Sequence, residues 1–424
     1  MIHSIKRIIC SVFFAALLLL GIQPAHAGMI SLEQEIEMGR ETGQYLEAQY
    51  GVVQDPALQE RVNAIGQKLA AVCGRNDIKY SFKVLNSNEV NALACPGGYI
   101  YVFKGLIDYM PTDTELAGVL GHEIGHVAKK HTVHAIEKQM WTTLLLIAAT
   151  KGQGIGMVQA AQQALFAGYS RTDERGADKE SVSNTVKAGF NPYAALITVN
   201  KLNDLAAQGG GADYGLYSSH PEPEERIKRV TKQLEKLHIT PLVEITDDDH
   251  AAVTEDGWRF NIDQSIGNTK AKYRAYMLAG GLWTVRQRGT INPNYFVVYD
   301  NGEEADIYYD DIQLLRLYQQ DAGGYESTGA YASACADMLR QWAKIANSKM
   351  TKINKITRNI MDKTKIANLK SQFDALSHLD SESGAEYWSA RKLMPFLGYE
   401  RWENFHKVIN KTICTGRIVS LVNT

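Results

Sequence analysis

Residues 122–126 read His-Glu-Ile-Gly-His, and this short run constrains the fold more than any other part of the chain. Side chains four positions apart lie on the same face of an α-helix, so the imidazoles of His122 and His126 can reach one metal ion. Glu123 would lie beside a water on that ion and accept its proton as a general base. Because a five-residue pattern also arises by chance, a further ligand has to support it.

A second segment, Glu174 to Asp178, supplies that support. It belongs to a predicted helix from Arg171 to Ala188, in which Glu174 and Asp178 share a face because they too are four residues apart. Glu174 can offer a carboxylate oxygen to zinc, and Asp178 can accept the outer N–H of a ligand histidine. Without the histidine motif, the same residues would be interpreted as an exposed charged face.

The region around the motif is predicted to be one helix from Thr112 to His131, which begins at Thr112 or Asp113 with Glu115 in its first turn. His131 and His134 follow the last motif histidine. Rotation along such a helix turns both away from the metal, so we predict that they are surface residues.

Four sequence blocks in the same order resemble the gluzincin metallopeptidases related to the CAAX prenyl endopeptidase, in particular their exported bacterial members. The resemblance covers about residues 31–237. The blocks are residues 91–100, residues 120–126, residues 174–178, and Ser219-His220-Pro221 with Arg226. It implies a zinc-dependent endopeptidase that hydrolyses peptide bonds in proteins.

The resemblance also implies a role for each matched side chain. His122, His126 and Glu174 would bind one Zn²⁺ per chain, and Glu123 would activate water. His220 would point towards the metal; in such relatives this histidine stabilises the oxyanion or occupies the fourth zinc position in a latent state. A mostly latent, chaperone-like binder of envelope proteins that cuts rarely is therefore the alternative function.

The first matched block adds a substrate contact and a cysteine. Asn91 and Ala92 would belong to an edge strand whose backbone pairs with an extended substrate. Cys95 stands where such relatives carry an aliphatic residue; it could bind the metal as an inhibitor, pair with Cys73, or pack in the core. We favour pairing or packing. A Cys73–Cys95 disulfide is the first pairing to test, and free buried thiols are the alternative.

The beginning of the chain predicts export. Lys6 and Arg7 precede an apolar run from Ile8 to Ile22, and Ala25-His26-Ala27 offers small residues for cleavage, as in a secretory signal peptide over 1–27. The run is short for a spanning helix, although an uncleaved anchor is the alternative. Cleavage near Ala27 would place the mature chain in the periplasm or outside the cell.

The predicted fold class is α+β. A mainly helical zincin-like peptidase domain with a small sheet occupies 28–242, and a small α+β extension of unassigned role occupies 243–345. Asp300-Asn301-Gly302 between two apolar runs predicts a β-hairpin in the extension. Residues 346–375 are predicted to be a basic linker or an exposed helix.

Residues 376–424 resemble the beginning of DNA-damage-inducible protein D and of phage antirepressor-type domains, through the aromatic run from His378 to Ile409. We interpret this segment as a truncated remnant with a small aromatic core and assign it no function. The formal net charge of −2 over 424 residues gives no reason to expect nucleic-acid binding. The expected partners are protein or peptide substrates, with peripheral membrane or outer-membrane assembly contacts.

Overall fold

A computed structural model of the chain describes residues 30–139, 168–208, 220, 223–360, 371, 377–379 and 386–388. The chain divides into two compact units, one ending at Lys344 and the other beginning at Ile345. The predicted signal peptide and most of the C-terminal segment lie outside the described residues. Within the described part, no helix combines the length and the apolar character needed to cross a membrane.

Helices and strands are numbered here in chain order. The numbered helices are α1 Leu32–Tyr50, α2 Pro56–Ala70, α3 Lys104–Tyr109, α4 Asp113–Ala128, α5 Arg171–Lys187, α6 Ala194–Ala207, α7 Pro223–Leu234, α8 Ala271–Gln287 and α9 Thr328–Ile360, and residues 131–139 are helical as well. The strands are β1 Ser81–Leu85, β2 Ala92–Ala94, β3 Tyr99–Phe103, β4 Leu242–Ile245, β5 Ala251–Glu255, β6 Trp258–Ile262, β7 Phe296–Asp300, β8 Glu304–Tyr309, β9 Ile312–Tyr318, β10 Ser377–Leu379 and β11 Glu386–Trp388.

A three-stranded sheet of order β1-β3-β2 lies in the middle of the helical part. Strand β1 runs parallel to β3, whereas β2 runs antiparallel to it and forms one edge. Successive side chains point to opposite faces, so the sheet has two apolar surfaces. One contacts Leu46 of α1 through Tyr101 and Phe103; the other joins a larger core with residues of α2 and α4.

The region after α7 has two further three-stranded antiparallel sheets, β4-β5-β6 and β7-β8-β9, with α8 packed against both. The predicted hairpin is present: Asn301 donates its N–H to the Glu304 carbonyl at 3.1 Å, between β7 and β8. The predicted α+β fold, with a mainly helical part followed by a small sheet-containing extension, is therefore confirmed.

A buried lysine joins the extension to the helical part. Lys201 of α6 is fully buried and donates to Glu115 Oε1 of α4 at 2.6 Å and to the Tyr109 carbonyl at 3.0 Å. It also donates to Asn268 Oδ1 at 3.1 Å, in the loop before α8. Because a buried ammonium needs both a counter-charge and hydrogen-bond acceptors, this network holds three segments in one arrangement.

The second unit is described only in part. Helix α9 continues to Ile360, so the basic stretch is helical as far as it is described. Strands β10 and β11 pair antiparallel, with Ser377 opposite Trp388. Apart from the backbone of Trp388, the aromatic core predicted for this segment lies outside the described residues.

Candidate metal and active site

Helix α4 carries the histidine motif into the core. The Thr112 hydroxyl accepts the Glu115 N–H at 3.3 Å, and Glu115 Oε2 accepts the Thr112 N–H at 2.9 Å. This capping box satisfies two N–H groups that a helix start leaves unpaired, which explains why the helix begins there. Every residue from Glu115 to Val127 is buried, so both motif histidines lie away from solvent.

Helices α4 and α5 pack closely where they cross, because the motif residue at the crossing is Gly125, which has no side chain. A Cβ added at Gly125 would lie 3.0 Å from the Ala177 Cα and 3.0 Å from its carbonyl oxygen. A larger residue at position 125 would push the helices apart. This close approach brings Glu174, one turn before Ala177, to the face that carries the two histidines.

Four side chains converge at this crossing: His122, His126, Glu174 and His220. One donor atom from each lies within 4.8 Å of all the others, and all four residues are buried. The His122 and His126 Nε2 atoms are 3.0 Å apart, and His126 Nε2 is 3.3 Å from Glu174 Oε1. His220 Nδ1 lies 3.1 Å from His122 Nε2 and 2.7 Å from Glu174 Oε1.

These distances fit a bound metal ion. Two ligand atoms at about 2.1 Å from a tetrahedral zinc are about 3.4 Å from each other, and the observed separations, from 2.7 to 3.3 Å, are somewhat shorter than that value. Imidazole nitrogen with carboxylate oxygen is a donor set that zinc accepts. Burying the Glu174 carboxylate also carries a desolvation cost, and a metal ion at Oε1 would help to offset it beside the Arg226 guanidinium at Oε2. The site is therefore suited to a metal ion.

Glu123 lies beside this cluster and is almost fully buried. Among the described residues neither of its carboxylate oxygens has a hydrogen-bond partner, and its Oε1 is 3.6 Å from His220 Nε2. Burial raises the pKa of the Glu123 carboxyl. A buried carboxylate without a partner favours accepting a proton, which is the property required of a general base.

Asp178 and Arg226 hold the outer side of His122. Asp178 Oδ1 lies 3.1 Å from His122 Nδ1, where the sequence predicted a carboxylate. Arg226 donates to both Asp178 oxygens and lies 3.2 Å from Glu174 Oε2. Burial opposes ionisation of Asp178, but Arg226 and His122 outweigh it and hold its pKa below the usual range. The sequence motifs did not assign a role to Arg226, because Arg226 lies on α7 whereas Glu174 and Asp178, its partners, lie on α5.

His131 corrects the sequence interpretation. It was predicted to be a surface residue, yet it is buried, and its Nδ1 lies 2.9 Å from His126 Nδ1. The predicted helix to His131 was also too long: α4 ends at Ala128, and Lys130 has a φ of 57°. This left-handed residue turns the chain, so helical rotation no longer determines where His131 points. His134 is exposed, as predicted.

Tyr169 is a contact that the sequence did not indicate. Its ring stacks on His126 with the ring centroids 3.6 Å apart, and its hydroxyl lies 2.9 Å from the Thr132 hydroxyl. Thr132 in turn donates to the Ala94 carbonyl at 3.2 Å. A stacking contact followed by two hydrogen bonds therefore links His126, a ligand candidate, to strand β2.

Asn91 and Ala92 lie at the start of that strand, on the sheet edge. Asn91 accepts the Phe103 N–H, so in the antiparallel alternation the backbone groups of Ala92 and Ala94 point away from β3. Two of these groups are already bonded: Asn91 Oδ1 accepts the Ala92 N–H at 2.9 Å, and Thr132 donates to Ala94. The predicted substrate strand is an edge strand, but the side chains of Asn91 and Thr132 already bond two of its outward-facing backbone groups.

Cys73 and Cys95 do not form the disulfide that was the first pairing to test, and the alternative, free buried thiols, is confirmed. Cys95 packs against Leu46 on one face of the sheet, whereas Cys73 belongs to the core on the other face and lies 3.3 Å from the Tyr80 hydroxyl. Cys95 is not part of the described metal-donor group, so packing, the other favoured interpretation, accounts for it.

Comparison with known proteins identifies relatives that are named as proteases. A putative beta-barrel assembly-enhancing protease of Vibrio cholerae is 29% identical over 230 residues, which is 50% of this chain and 47% of that protein. The beta-barrel assembly-enhancing protease of Escherichia coli K12 is 26% identical over 255 residues, 54% of this chain and 52% of its own length. This chain thus spans about half the length of these relatives.

A shorter relative is matched over more of its length. Metalloprotease YcaL of Escherichia coli K12 is 31% identical over 176 residues, which is 39% of this chain and 68% of that protein. The sequence model of peptidase family M48 matches residues 56–234, from α2 to the end of α7. With the histidine motif, Glu174 and His220 all inside that match, this chain belongs to peptidase family M48.

Proposed function

We propose that this protein is a zinc metalloendopeptidase that hydrolyses peptide bonds in other proteins. The buried group of His122, His126 and Glu174, with Glu123 beside it, carries this proposal. Zinc bound there would lower the pKa of a coordinated water and polarise the scissile carbonyl. Glu123 accepts the proton of the attacking water and delivers it to the leaving amine.

The surrounding residues orient the reactants. Asp178, itself held by Arg226, lies 3.1 Å from His122 Nδ1 and orients His122 so that its Nε2 faces the site. The edge of β2 offers the backbone of Ala92 and Ala94 to an extended peptide, in place of the present side-chain caps. His220 Nε2, on the Glu123 side, is a donor for the developing oxyanion once substrate is bound.

The substrates are, in this proposal, unfolded or misfolded proteins of the bacterial envelope. Two relatives are named as beta-barrel assembly-enhancing proteases, and the predicted signal peptide would bring this chain to the same compartment. Peripheral contacts with the outer membrane or its assembly machinery follow from that location. Cell fractionation with N-terminal sequencing tests it: an N-terminus near Gly28 in the periplasmic fraction supports export with cleavage, and protein found in the cytoplasmic fraction contradicts export.

The metal itself is the first test of the proposal. Mass spectrometry of the purified mature protein should give about one zinc per chain, since three ligands with an open fourth position form one catalytic site. Removal of zinc with a chelator should abolish casein digestion, and added zinc should restore it. Digestion that continues in the metal-free protein would exclude this mechanism.

A second candidate function rests on the position of His220. Its Nδ1 lies within the donor group, 2.7 Å from Glu174 Oε1, where a catalytic site would bind water. A protein with four occupied positions would bind envelope proteins and cut them rarely.

His220→Ala separates the two candidates. If His220 blocks the site, casein cleavage by this variant rises severalfold because the fourth position opens to water. If His220 stabilises the oxyanion, cleavage falls by about 10²-fold. Zinc content of the variant is measured alongside, so that loss of metal is not mistaken for loss of an oxyanion donor.

A further inference from the structure

His131 contacts His126, a candidate metal ligand, on the side of the ring opposite the metal-donor group. Its Nδ1 is 2.9 Å from His126 Nδ1, while His126 Nε2 faces the donor group. The two rings meet nearly at right angles, 77° apart. On the far side, His131 Nε2 lies 3.7 Å from Asp173 Oδ1. Gly176 leaves room for the ring, because a Cβ there would lie 3.2 Å from its Cε1.

The two candidate ligand histidines, His122 and His126, differ in the group that contacts their Nδ1 atom. A histidine that binds metal through Nε2 carries its proton on Nδ1, and that N–H needs an acceptor. For His122 the acceptor is the Asp178 carboxylate, 3.1 Å away. For His126 the atom within reach is another imidazole nitrogen, His131 Nδ1, 2.9 Å away. It can accept only if the His131 proton resides on Nε2, the atom that faces Asp173.

We propose that His131 is a positioning residue: its Nδ1 accepts the His126 Nδ1–H and thereby fixes the tautomer and ring orientation that present Nε2 to the metal. The Asp173 carboxylate, 3.7 Å from His131 Nε2 and beyond hydrogen-bond distance, favours the required tautomer of His131 electrostatically. This inference rests on the proposed zinc site. It deepens that proposal by assigning a role to a histidine outside the ligand set.

The burial of His131 supports this assignment. The chain leaves α4 through a left-handed Lys130, and this turn brings the ring back against the helix that it has just left. A buried imidazole loses its hydrogen bonds with water, so both ring nitrogens need partners within the protein. His126 Nδ1 is the hydrogen-bond partner of one ring nitrogen, and the Asp173 carboxylate faces the other at 3.7 Å.

Two substitutions separate positioning from packing. His131→Phe keeps the ring and its volume but removes the acceptor, whereas His131→Asn loses the ring but can place an amide oxygen near the Nδ1 position. Zinc affinity of the otherwise intact chain is measured by competition with a chromophoric chelator, using zinc alone. We expect His131→Phe to bind zinc about 10–100-fold more weakly and His131→Asn to retain most of the wild-type affinity.

His134→Ala is the matched control, because His134 lies three residues further on and is exposed. It should leave zinc affinity unchanged. If His131→Phe binds zinc within about twofold of wild type, or if His131→Asn is the weaker of the two, then His131 packs rather than positions and the inference is wrong. If wild type binds no zinc, the proposed function fails first, so the two failures are distinguishable.

Discussion

Glu123→Gln should keep its zinc and lose peptide cleavage by a factor of about 10²–10⁴, which is the range that a positioned general base contributes. Glutamine has nearly the same shape but cannot take a proton from water. Because the effect falls on the transition state, kcat should drop while KM for a peptide substrate stays close to the wild-type value. Steady-state kinetics on a fluorogenic peptide, with zinc measured in the same sample, checks both expectations.

The control for this variant is Glu60→Gln, the same exchange at an exposed position of α2. It should leave kcat and KM unchanged. Glu123 suits the role because it is buried and, among the described residues, its carboxylate oxygens have no partner to lose. Cleavage by Glu123→Gln at more than a tenth of the wild-type rate would mean that another group activates the water.

Arg226→Met should destabilise the metal-free protein by about 3–5 kcal/mol, the usual cost of removing one partner from a buried ion pair. Arg226 is 2% exposed and contacts two carboxylates, those of Asp178 and Glu174. Methionine fills much of the same space but leaves both carboxylates buried without their cation. Urea unfolding followed by circular dichroism measures the loss.

Zinc should reduce the cost of Arg226→Met, because the metal supplies a cation to Glu174 but not to Asp178. The control is Arg259→Met, which removes an arginine whose pairing with Glu244 is exposed, 51% and 54% for the two side chains. That change should cost much less, since solvent screens the pair. Equal losses in the two variants would contradict the view that Arg226 stabilises the site electrostatically.

Local sequence rules were sufficient for the helices that carry the site. The Thr112 capping box begins α4, and Ser170 with Asp173 forms another that begins α5. Because i and i+4 share a helix face, the motif placed His122 beside His126 and Glu174 beside Asp178 before any tertiary contact was known. The hairpin after Asp300 followed from its turn residues in the same way.

Spacing rules based on helical periodicity or sequence proximity failed where a turn interrupts a helix and where contacts depend on tertiary packing. His131 could be placed only if the left-handed Lys130 was known, and a lysine carries no preference for that conformation. Cys73 and Cys95 are near in sequence, yet they lie in cores on opposite faces of one sheet. The roles of Arg226 and Tyr169 depend on neighbours from distant segments, which no spacing rule identifies.

The sequence by itself determined which residue types can bind metal here and which of them share a helix face, because both properties depend only on side-chain chemistry and helical period. The tertiary structure decided how the two helices meet, through the close contact at Gly125, and which groups surround each ligand. The second set depends on packing between segments far apart in the chain. Burial there gives each contact its strength, since a charge or hydrogen bond is worth most where water is excluded.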